Sequence, residues 1–378
     1  MTIKIPQLCN LRQIYKDHGH DIRFVGGCVR DDLFGIPTND YDLASPMPAT
    51  EALDVLHQAG FKVIPTGLAH GTITVIIDSV PYEITTLRKD VSTDGRHAIV
   101  ETTNNWEEDA HRRDFTINAL YQDFDGTIYD YTKGLDDLKN GIVRFIGNPE
   151  DRLQEDYLRI LRYFRFAQRY AKHTLSKELT LLFKTYARTI QTLSKERITQ
   201  EFLKIIDHPN AYTTLSEMQT CSILQQIIPD CDLPPLLCLE KNTEFLGMAY
   251  SASRNLATIY STPNTLRLSN DQISYVKSIQ KLRGNLNQDS IYHAIFNDGK
   301  ERTLDTLLIN GDVDLFKACL LIDDKPLPLT SQDLVASGIP VGPKLGQALA
   351  SAREFWCLNK FTSTPKEILA HIQTIFLQ

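Results

Sequence analysis

The stretch IRFVGGCVRD, residues 22–31, joins a mostly apolar run to two glycines and then to charged residues. The apolar run predicts a buried strand, and a short helix can begin near Val29. Gly26 and Gly27 would expose backbone N–H groups and let a phosphate chain approach closely, with Arg30 as its counter-charge. A tight strand-to-helix connection would also use two glycines, so the choice between these two interpretations depends on the neighbouring sequence.

Two carboxylates follow this turn, Asp40 and Asp42 in NDYDL, residues 39–43. Positions i and i+2 of a strand point to the same face, so both side chains can converge on one site. Adjacent anions repel unless a cation neutralises them, and carboxylate oxygens suit Mg²⁺. Two ions about 3.5–4 Å apart would activate an attacking hydroxyl and stabilise a leaving phosphate. The alternatives are a surface turn for this pair and, for Glu83 in a later predicted strand, a solvent-facing position instead of a third metal-side carboxylate.

The predicted elements change character along the chain. The first 140 residues predict a mixed α/β region, with hairpins at 72–87 and near Asp125–Tyr131. The polar residues 90–108 predict a mobile loop. From residue 150 onward, apolar residues repeat at helical spacing almost to the end. The fold class predicted is therefore α+β, a mixed-sheet region followed by an all-helical one.

Charge and cysteine content limit the class of protein. The chain has 378 residues, more than one hydrophobic core usually serves, and a net charge of -7. Residues 139–204 nevertheless hold fourteen Lys and Arg against seven acidic residues, so a basic region for RNA exists within an acidic protein. The seven cysteines contain no C-x-x-C pair, which favours reduced thiols over disulfides or zinc.

The N-terminus and the hydropathy bear on location. The first residues lack the features of a signal or transit peptide, and no apolar stretch of about 18 residues predicts a membrane span. We expect a cytoplasmic protein with no membrane partner; a mitochondrial location stays open because a precursor could have been trimmed. The sequence contains no signal for an oligomeric state.

The stretch EDYLRILRYFRF, residues 155–166, predicts a helix in which Asp156 and Arg159 are neighbours at i and i+3. An accepting aspartate and a donating arginine complement the Watson–Crick edges of both cytosine and adenine. Guanine and uracil would place a carbonyl and a ring N–H against the wrong groups, which discriminates strongly when the groups are buried. The alternative is a surface ion pair worth about 0.3–0.5 kcal/mol. Arg162 and Arg165 continue the basic stripe.

Four motifs in this order resemble the class II tRNA nucleotidyltransferases, in the poly(A) polymerase branch of the polymerase-β-like superfamily. The matching segments are GGCVRD (26–31), DYD (40–42), RRDFTINAL (112–120) and EDYLRILRYFR (155–165). The resemblance covers about residues 22–205 and includes a flexible loop at 87–113 and a neck helix beginning near 194. It implies a small mixed-sheet nucleotidyltransferase head over 1–140, a helical neck over 141–206, and a helical body and tail over 207–378 that binds tRNA.

The resemblance also assigns roles to individual residues. Asp40 and Asp42 would bind the metals, with Glu83 as the third catalytic carboxylate. The nucleotide would be bound by residues that contact its phosphates, ribose or base, namely Gly27, Arg30, Arg113, Asp114, Asp156, Arg159, Arg162 and Arg165. Asp156 and Arg159 would read the base, while Arg113 and Asp114 would hold phosphate or ribose.

These assignments predict that a tRNA 3′-hydroxyl attacks the α-phosphate of CTP or ATP, adding C, C and A with release of pyrophosphate. An A-adding or CC-adding specialist and a poly(A) polymerase remain alternatives. In the family that the chain resembles, a CC-only enzyme lacks the flexible loop, so the loop predicted at 90–108 argues against that alternative. The lack of a long basic C-terminal tail weakens the poly(A) alternative. A phosphohydrolase is not expected, since neither His20-Asp21 nor Asp207-His208 belongs to a visible ligand set. A non-catalytic RNA-binding protein is disfavoured by the presence of all three carboxylates.

A segment near the C-terminus, residues 337–346, has two interpretations. It predicts either a site where backbone N–H groups bind an RNA phosphate or an interhelical turn.

Overall fold

The computed structural model describes residues 8–93, 98–260 and 265–377, with backbone only for 90–93 and 98–100. The chain divides into two compact units, Met1–Leu193 and Ser194–Gln378. The boundary between them falls inside the predicted neck, and the three-part division at 140/141 and 206/207 stays a prediction.

The first unit contains the strands of the described residues, and most of them form one mixed sheet. They are β1 Arg23–Val25, β2 Tyr41–Ser45, β3 Lys62–Gly67, β4 Thr72–Ile77, β5 Val80–Thr86, β6 Arg88–Thr93, β7 Ala98–Thr102, β8 Leu120–Gln122 and β9 Ile128–Asp130. Seven strands lie in the order β3-β4-β5-β2-β1-β8-β9, and β6 pairs with β7 apart from them. Only β2 and β5 run parallel within the large sheet; its other pairs are antiparallel.

The helices of the first unit lie before, between and after its strands along the chain. They are α1 Cys9–Asp17, α2 Gly27–Phe34, α3 Ala49–Gln58, α4 Trp106–His111, α5 Gly134–Asn140, α6 Pro149–Glu155, α7 Leu158–Tyr170 and α8 Lys177–Thr185. The turn into α2 requires glycine at position 26, where φ is 72°. Its N–H donates to the carbonyl of Leu120 at 3.0 Å, which holds the turn against β8.

Both predicted hairpins are confirmed. Strands β4 and β5 pair antiparallel through a turn at Asp78 and Ser79, whose φ values of 49° and 66° suit a tight hairpin. Strands β8 and β9 also pair antiparallel.

The prediction of a loop over residues 90–108 was wrong in part, because β6, β7 and α4 occupy much of this segment. Asn105 caps α4, because its side chain accepts the N–H of Glu107. Asparagine is a common N-cap residue, but within a polar stretch it was interpreted as part of a loop. Residues 94–97 lie outside the described part.

The second unit is helical throughout its described residues. Its helices are α9 Lys195–Ile206, α10 Ala211–Thr220, α11 Leu224–Ile227, α12 Pro234–Phe245, α13 Ala252–Ile259, α14 Asn270–Leu282, α15 Ile291–Asp298, α16 Lys300–Asn310, α17 Val313–Leu320, α18 Ser331–Ala336, α19 Pro343–Leu358 and α20 Pro365–Phe376. Residues 337–342 form the turn between α18 and α19. A mixed-sheet region followed by helices confirms the α+β prediction. No helix among the described residues has the length and apolar character needed to cross a bilayer.

Candidate nucleotide and metal site

Asp42 and Glu83 lie directly opposite each other on the neighbouring parallel strands β2 and β5. Residues paired in this way point to the same face of a sheet, so both carboxylates lie on one side. Burial, then the charges of Asp40 and Glu83, raise the pKa of Asp42 to about 6, against an opposing effect from Arg113. Asp40 itself precedes the first residue of β2. The three carboxylates predicted from the sequence therefore form one region of negative charge.

A divalent cation suits this donor set, which consists of carboxylate oxygens that repel one another. Among the described residues no three His, Cys, Asp or Glu side chains already converge on a common ion position. Mg²⁺ is usually bound by one or two carboxylates together with waters and substrate phosphates, so a preformed cage is not required. The residues present fit a cation that completes its coordination with a nucleotide.

Arg113 is held beside these carboxylates by Asp109, which is 1% exposed. Asp109 accepts hydrogen bonds from Nη2 of Arg113 at 3.0 Å, Nη2 of Arg112 at 2.6 Å and the hydroxyl of Tyr121 at 2.7 Å. Burial by itself would raise the pKa of Asp109, but these partners outweigh it and hold that pKa well below its usual range. Arg112 also donates to the carbonyl of Arg88, which ties the start of β6 to the same centre.

Asp114 faces a different set of partners and is also buried, at 9% exposure. Its Oδ1 accepts the N–H of Phe115 at 2.9 Å and the amide of Asn118 at 3.0 Å. Its Oδ2 accepts Nε and Nη2 of Arg162 at 2.8 and 2.7 Å. Burial would raise the pKa of Asp114, but Arg162 and these hydrogen bonds lower it. Arg113 and Asp114 therefore connect the carboxylate region to α7 through adjacent residues.

Arg30 is buried and paired, at 6% exposure. It donates to Oδ1 of Asp31 at 2.8 Å and to Oδ1 of Asn118, and its guanidinium lies 4.9 and 4.5 Å from the ring centres of Phe166 and Tyr170. The sequence predicted a direct contact between Arg30 and phosphate. The structure gives this side chain a set of internal partners, and its contact with phosphate stays a prediction.

The predicted base-reading pair is arranged differently from the expected helix face. Helix α7 begins at Leu158, so Asp156 precedes it in an extended conformation and its Oδ1 accepts the N–H of Leu158 at 3.1 Å. Arg159 pairs with Glu155 and donates to the carbonyl of Arg152 at 2.8 Å. The prediction that both residues share one helical face was wrong, because the chain turns between α6 and α7.

The two remaining arginines contact an aromatic ring of their own helix, and the predicted glycine begins α2. The guanidinium groups of Arg162 and Arg165 lie 5.3 and 4.2 Å from the ring centre of Phe166. Gly27 is the first residue of α2, where its backbone is close to Arg30. The positive φ in this turn belongs to Gly26. The contact of Gly27 with the phosphates therefore stays a prediction, which rests only on the space left by the missing side chain.

Several residues that organise the site were missed at the level of the sequence. Asp109 lies three and four residues before Arg112 and Arg113, a helical spacing that could have predicted the pairing. Glu155 precedes Arg159 by four residues and had the same signal. The partnership of Asn118 with Arg30 had no such signal, because the two residues are 88 positions apart.

Two parts of the chain match known families. Residues 22–144 match the Poly A polymerase head domain, and residues 174–233 match the probable RNA and SrmB-binding site of polymerase A. Enzymes of the nucleotidyltransferase superfamily generally use divalent metal ions.

Relatives that match most of this chain are named as CCA-adding enzymes. The CCA tRNA nucleotidyltransferase 1, mitochondrial, of Mus musculus is 33% identical and spans 97% of this chain and 89% of its own length. The CCA-adding enzyme of Pediococcus pentosaceus is 30% identical, and 89% of each chain is covered. The crystal structure of Bacillus stearothermophilus CCA-adding enzyme in complex with CTP has a TM-score of 0.74 and 25% identity, with 98% of both chains covered. Because relatives that are at least 30% identical match this chain over most of its length, it belongs to the family of CCA-adding tRNA nucleotidyltransferases.

Proposed function

We propose that the protein adds C, C and then A to the 3′ end of tRNA, using CTP and ATP and releasing pyrophosphate. The observation that carries this proposal is the register that sets Asp42 opposite Glu83, with Asp40 near enough to raise the pKa of Asp42. Such a concentration of negative charge requires cations, and nucleotidyl transfer to a hydroxyl group uses them.

Asp40 and Asp42 are proposed to hold two Mg²⁺ ions, with Glu83 as the third catalytic carboxylate. Held by these residues, the ions would activate the 3′-hydroxyl of the tRNA and neutralise charge on the pyrophosphate that leaves. Gly27 presents backbone to the phosphates, Arg113 adds a positive charge beside Asp42, and Asp114 accepts the ribose 2′-hydroxyl. Positioning and charge neutralisation are the main contributions of the protein to such a reaction.

Selection of the base is proposed to rest on Asp156 and Arg159. The aspartate accepts the amino group shared in position by cytosine and adenine, and the arginine donates to the adjacent ring nitrogen. Glu155 and the carbonyl of Arg152 orient the Arg159 guanidinium for this contact. Arg162 and Arg165 support the nucleotide from the same helix.

The test is incorporation into a tRNA that ends at its discriminator base, with single nucleotides and with mixtures. CTP alone should give two additions, and ATP should be used only after them. A addition without prior C would contradict the proposal and indicate an A-adding specialist, an arrest after two C residues would indicate a CC-adding enzyme, and a long A tail would indicate a poly(A) polymerase. Asp42→Ala should abolish incorporation while leaving tRNA binding, measured by filter retention, largely intact.

The division of labour along the chain is part of the same proposal. Residues 1–140 act as the catalytic head, 141–206 as the neck that reads the nucleotide, and 207–378 as the body and tail that bind tRNA. Cross-linking of bound tRNA followed by peptide mapping tests the last assignment, since cross-links confined to residues before 207 would contradict it. We also propose a cytoplasmic location, which fractionation of the source cells tests; enrichment in an organelle would contradict it.

A further inference from the structure

The side chain of Asn118 lies between two groups of opposite charge inside the head. It is 7% exposed and belongs to the short turn Thr116–Asn118 that follows Asp114. Arg30 donates a hydrogen bond to its Oδ1, and its Nδ2 donates to Oδ1 of Asp114 at 3.0 Å. The amide thus bridges a buried arginine and the carboxylate proposed to accept the ribose.

The orientation of this amide follows from the chemistry of its neighbours. A guanidinium group only donates hydrogen bonds, so Asn118 must present its oxygen to Arg30. Its NH₂ group is then left to face Asp114, which as a carboxylate only accepts. The amide thus supplies an acceptor to Arg30 and a donor to Asp114, both without charge.

Arg30 is itself fixed from behind, so the bridge has a rigid support. Asp31 accepts Nε of Arg30 at 2.9 Å and Nη2 at 2.8 Å, and it also accepts the hydroxyl of Tyr170. Tyr170 and Phe166 of α7 place their rings 4.5 and 4.9 Å from the guanidinium carbon. A cation enclosed in this way has little freedom to turn toward a ligand.

The acceptor capacity of Asp114 is already in use. A carboxylate offers about four lone-pair positions, and in this structure Phe115 N–H, the Asn118 amide and two nitrogens of Arg162 occupy them. Asn118 and the Phe115 backbone are buried, whereas the side chain of Arg162 is 32% exposed. A ribose hydroxyl can therefore take a place on Oδ2 only by displacing part of the Arg162 contact, while Oδ1 stays held by Asn118.

We infer that Asn118 is a positioning residue for sugar recognition, and that Arg30 contributes to sugar recognition through it. By holding Oδ1, the amide aims Oδ2 of Asp114 at the 2′-hydroxyl and makes the enzyme prefer ribonucleotides to 2′-deoxyribonucleotides. This inference rests on the proposed role of Asp114 at the ribose.

The experiment compares kcat/KM for CTP and dCTP in wild type, Asn118→Ala and Asn118→Asp. Loss of a hydrogen bond to a charged group corresponds to about a tenfold change, so the CTP to dCTP preference should fall by about this factor in both variants, mainly through the KM for CTP. Arg30→Lys should lower the preference in the same direction, because lysine cannot bond Asp31 and Asn118 through one planar group. Equal losses for the two nucleotides would overturn the inference.

Asn118→Asp adds a readout that a purely structural role would not move. The new carboxylate would face Asp114, and two close carboxylates share a proton as the pH falls. The shared proton restores a donor, so the CTP preference of this variant should recover toward the wild-type value at lower pH. A pH-independent preference in Asn118→Asp would count against the bridge.

Two further variants separate the possible failures. Asp114→Ala tests the proposed ribose contact directly: if it leaves the CTP to dCTP preference unchanged, the role of Asp114 fails. If Asp114→Ala lowers the preference and the Asn118 variants do not, only the inference fails. Asn255→Ala is the matched control, because Asn255 is another buried asparagine, whose amide donates to the carbonyl of Ile206 at 2.7 Å within the second unit. It should lower stability and leave the preference unaltered.

Discussion

Arg162 of α7 donates two hydrogen bonds to a single oxygen of Asp114, which lies 48 residues earlier in the chain. The contact joins the helix proposed to support the nucleotide to the RRD segment of the head. Arg113, the neighbour of Asp114, contributes to the electrostatics of Asp42. One short segment therefore relates α7 to the carboxylate region.

Removal of Arg162 should destabilise the protein, because Asp114 stays buried and loses half of its hydrogen bonds. For Arg162→Ala we expect a loss of about 1–3 kcal/mol in the free energy of unfolding, with a smaller loss for Arg162→Lys, which keeps the charge but not the planar fork. Urea unfolding of both variants and of Asp114→Asn measures this. If the losses of Arg162→Ala and Asp114→Asn are additive in the double variant, the two residues are not coupled.

The raised pKa of Asp42 predicts a stability that depends on pH in the absence of metal. This pKa is about 6 in the folded chain, whereas aspartate in the unfolded chain titrates at about 3.9. Between these two values the folded protein therefore binds more protons than the unfolded one. Stability should therefore fall as the pH rises between these two values. Asp42→Asn should stabilise the metal-free protein at neutral pH by about 1–2 kcal/mol and abolish nucleotide incorporation.

The check on Asp42 is thermal unfolding in EDTA across pH 4 to 8, a range that spans about two pH units on each side of the folded pKa. Wild type should lose stability relative to Asp42→Asn as the pH rises, and added Mg²⁺ should restore it above the pKa. A difference between the two proteins that does not vary with pH would contradict the shifted ionisation.

Asp109 should be among the most sensitive carboxylates of the head. Asp109→Asn leaves Arg112 and Arg113 without their buried counter-charge, and we expect a loss of about 3 kcal/mol together with reduced incorporation. Because the pKa of Asp109 is depressed, its stabilising effect is present above the ordinary aspartate pKa and is lost as the pH falls below it.

Asp137→Asn is the matched control for Asp109. Asp137 is also buried, but its partner Arg144 is largely exposed, at 60%. Unfolding in urea should give a smaller loss for this control. Equal losses in the two variants would show that the pairing of Asp109 with Arg112 and Arg113 stabilises the protein no more than the pairing of Asp137 with Arg144 does.

Arg159 should determine which bases are accepted. Arg159→Ala should lower the preference for CTP over UTP by at least about tenfold, since the donor to the ring nitrogen is lost. Glu155→Gln should shift the preference in the same direction by less, because it only weakens the support of the guanidinium. Single-turnover incorporation with each nucleotide measures both.

Arg169→Ala supplies the comparison for the base-selection variants. Arg169 is an exposed arginine of the same helix whose guanidinium lies 5.9 Å from the ring centre of Tyr170. It should retain the wild-type preference. A loss of selectivity in Arg169→Ala as large as in Arg159→Ala would show that general charge on α7, and not the Arg159 side chain, selects the base.

Local periodicity accounts for what could be predicted from the sequence. The two hairpins and the change from mixed α/β to helix follow from composition and spacing along the chain. The placement of Asp40 and Asp42 on one side stays a prediction, because Asp40 precedes the first residue of β2. The pairing of Asp109 with two arginines was within reach of the same reasoning, because it spans one helical turn.

Tertiary structure decided the contacts between distant segments. The register that sets Glu83 opposite Asp42 depends on how β5 docks beside β2. The burial of Arg30 against Asn118 and α7 depends on the packing of three separate segments. The start of α7 after Asp156 depends on the turn from α6. Spacing along the chain limits only near neighbours, whereas a partner many residues away is chosen by packing, where each buried donor and acceptor must find its complement.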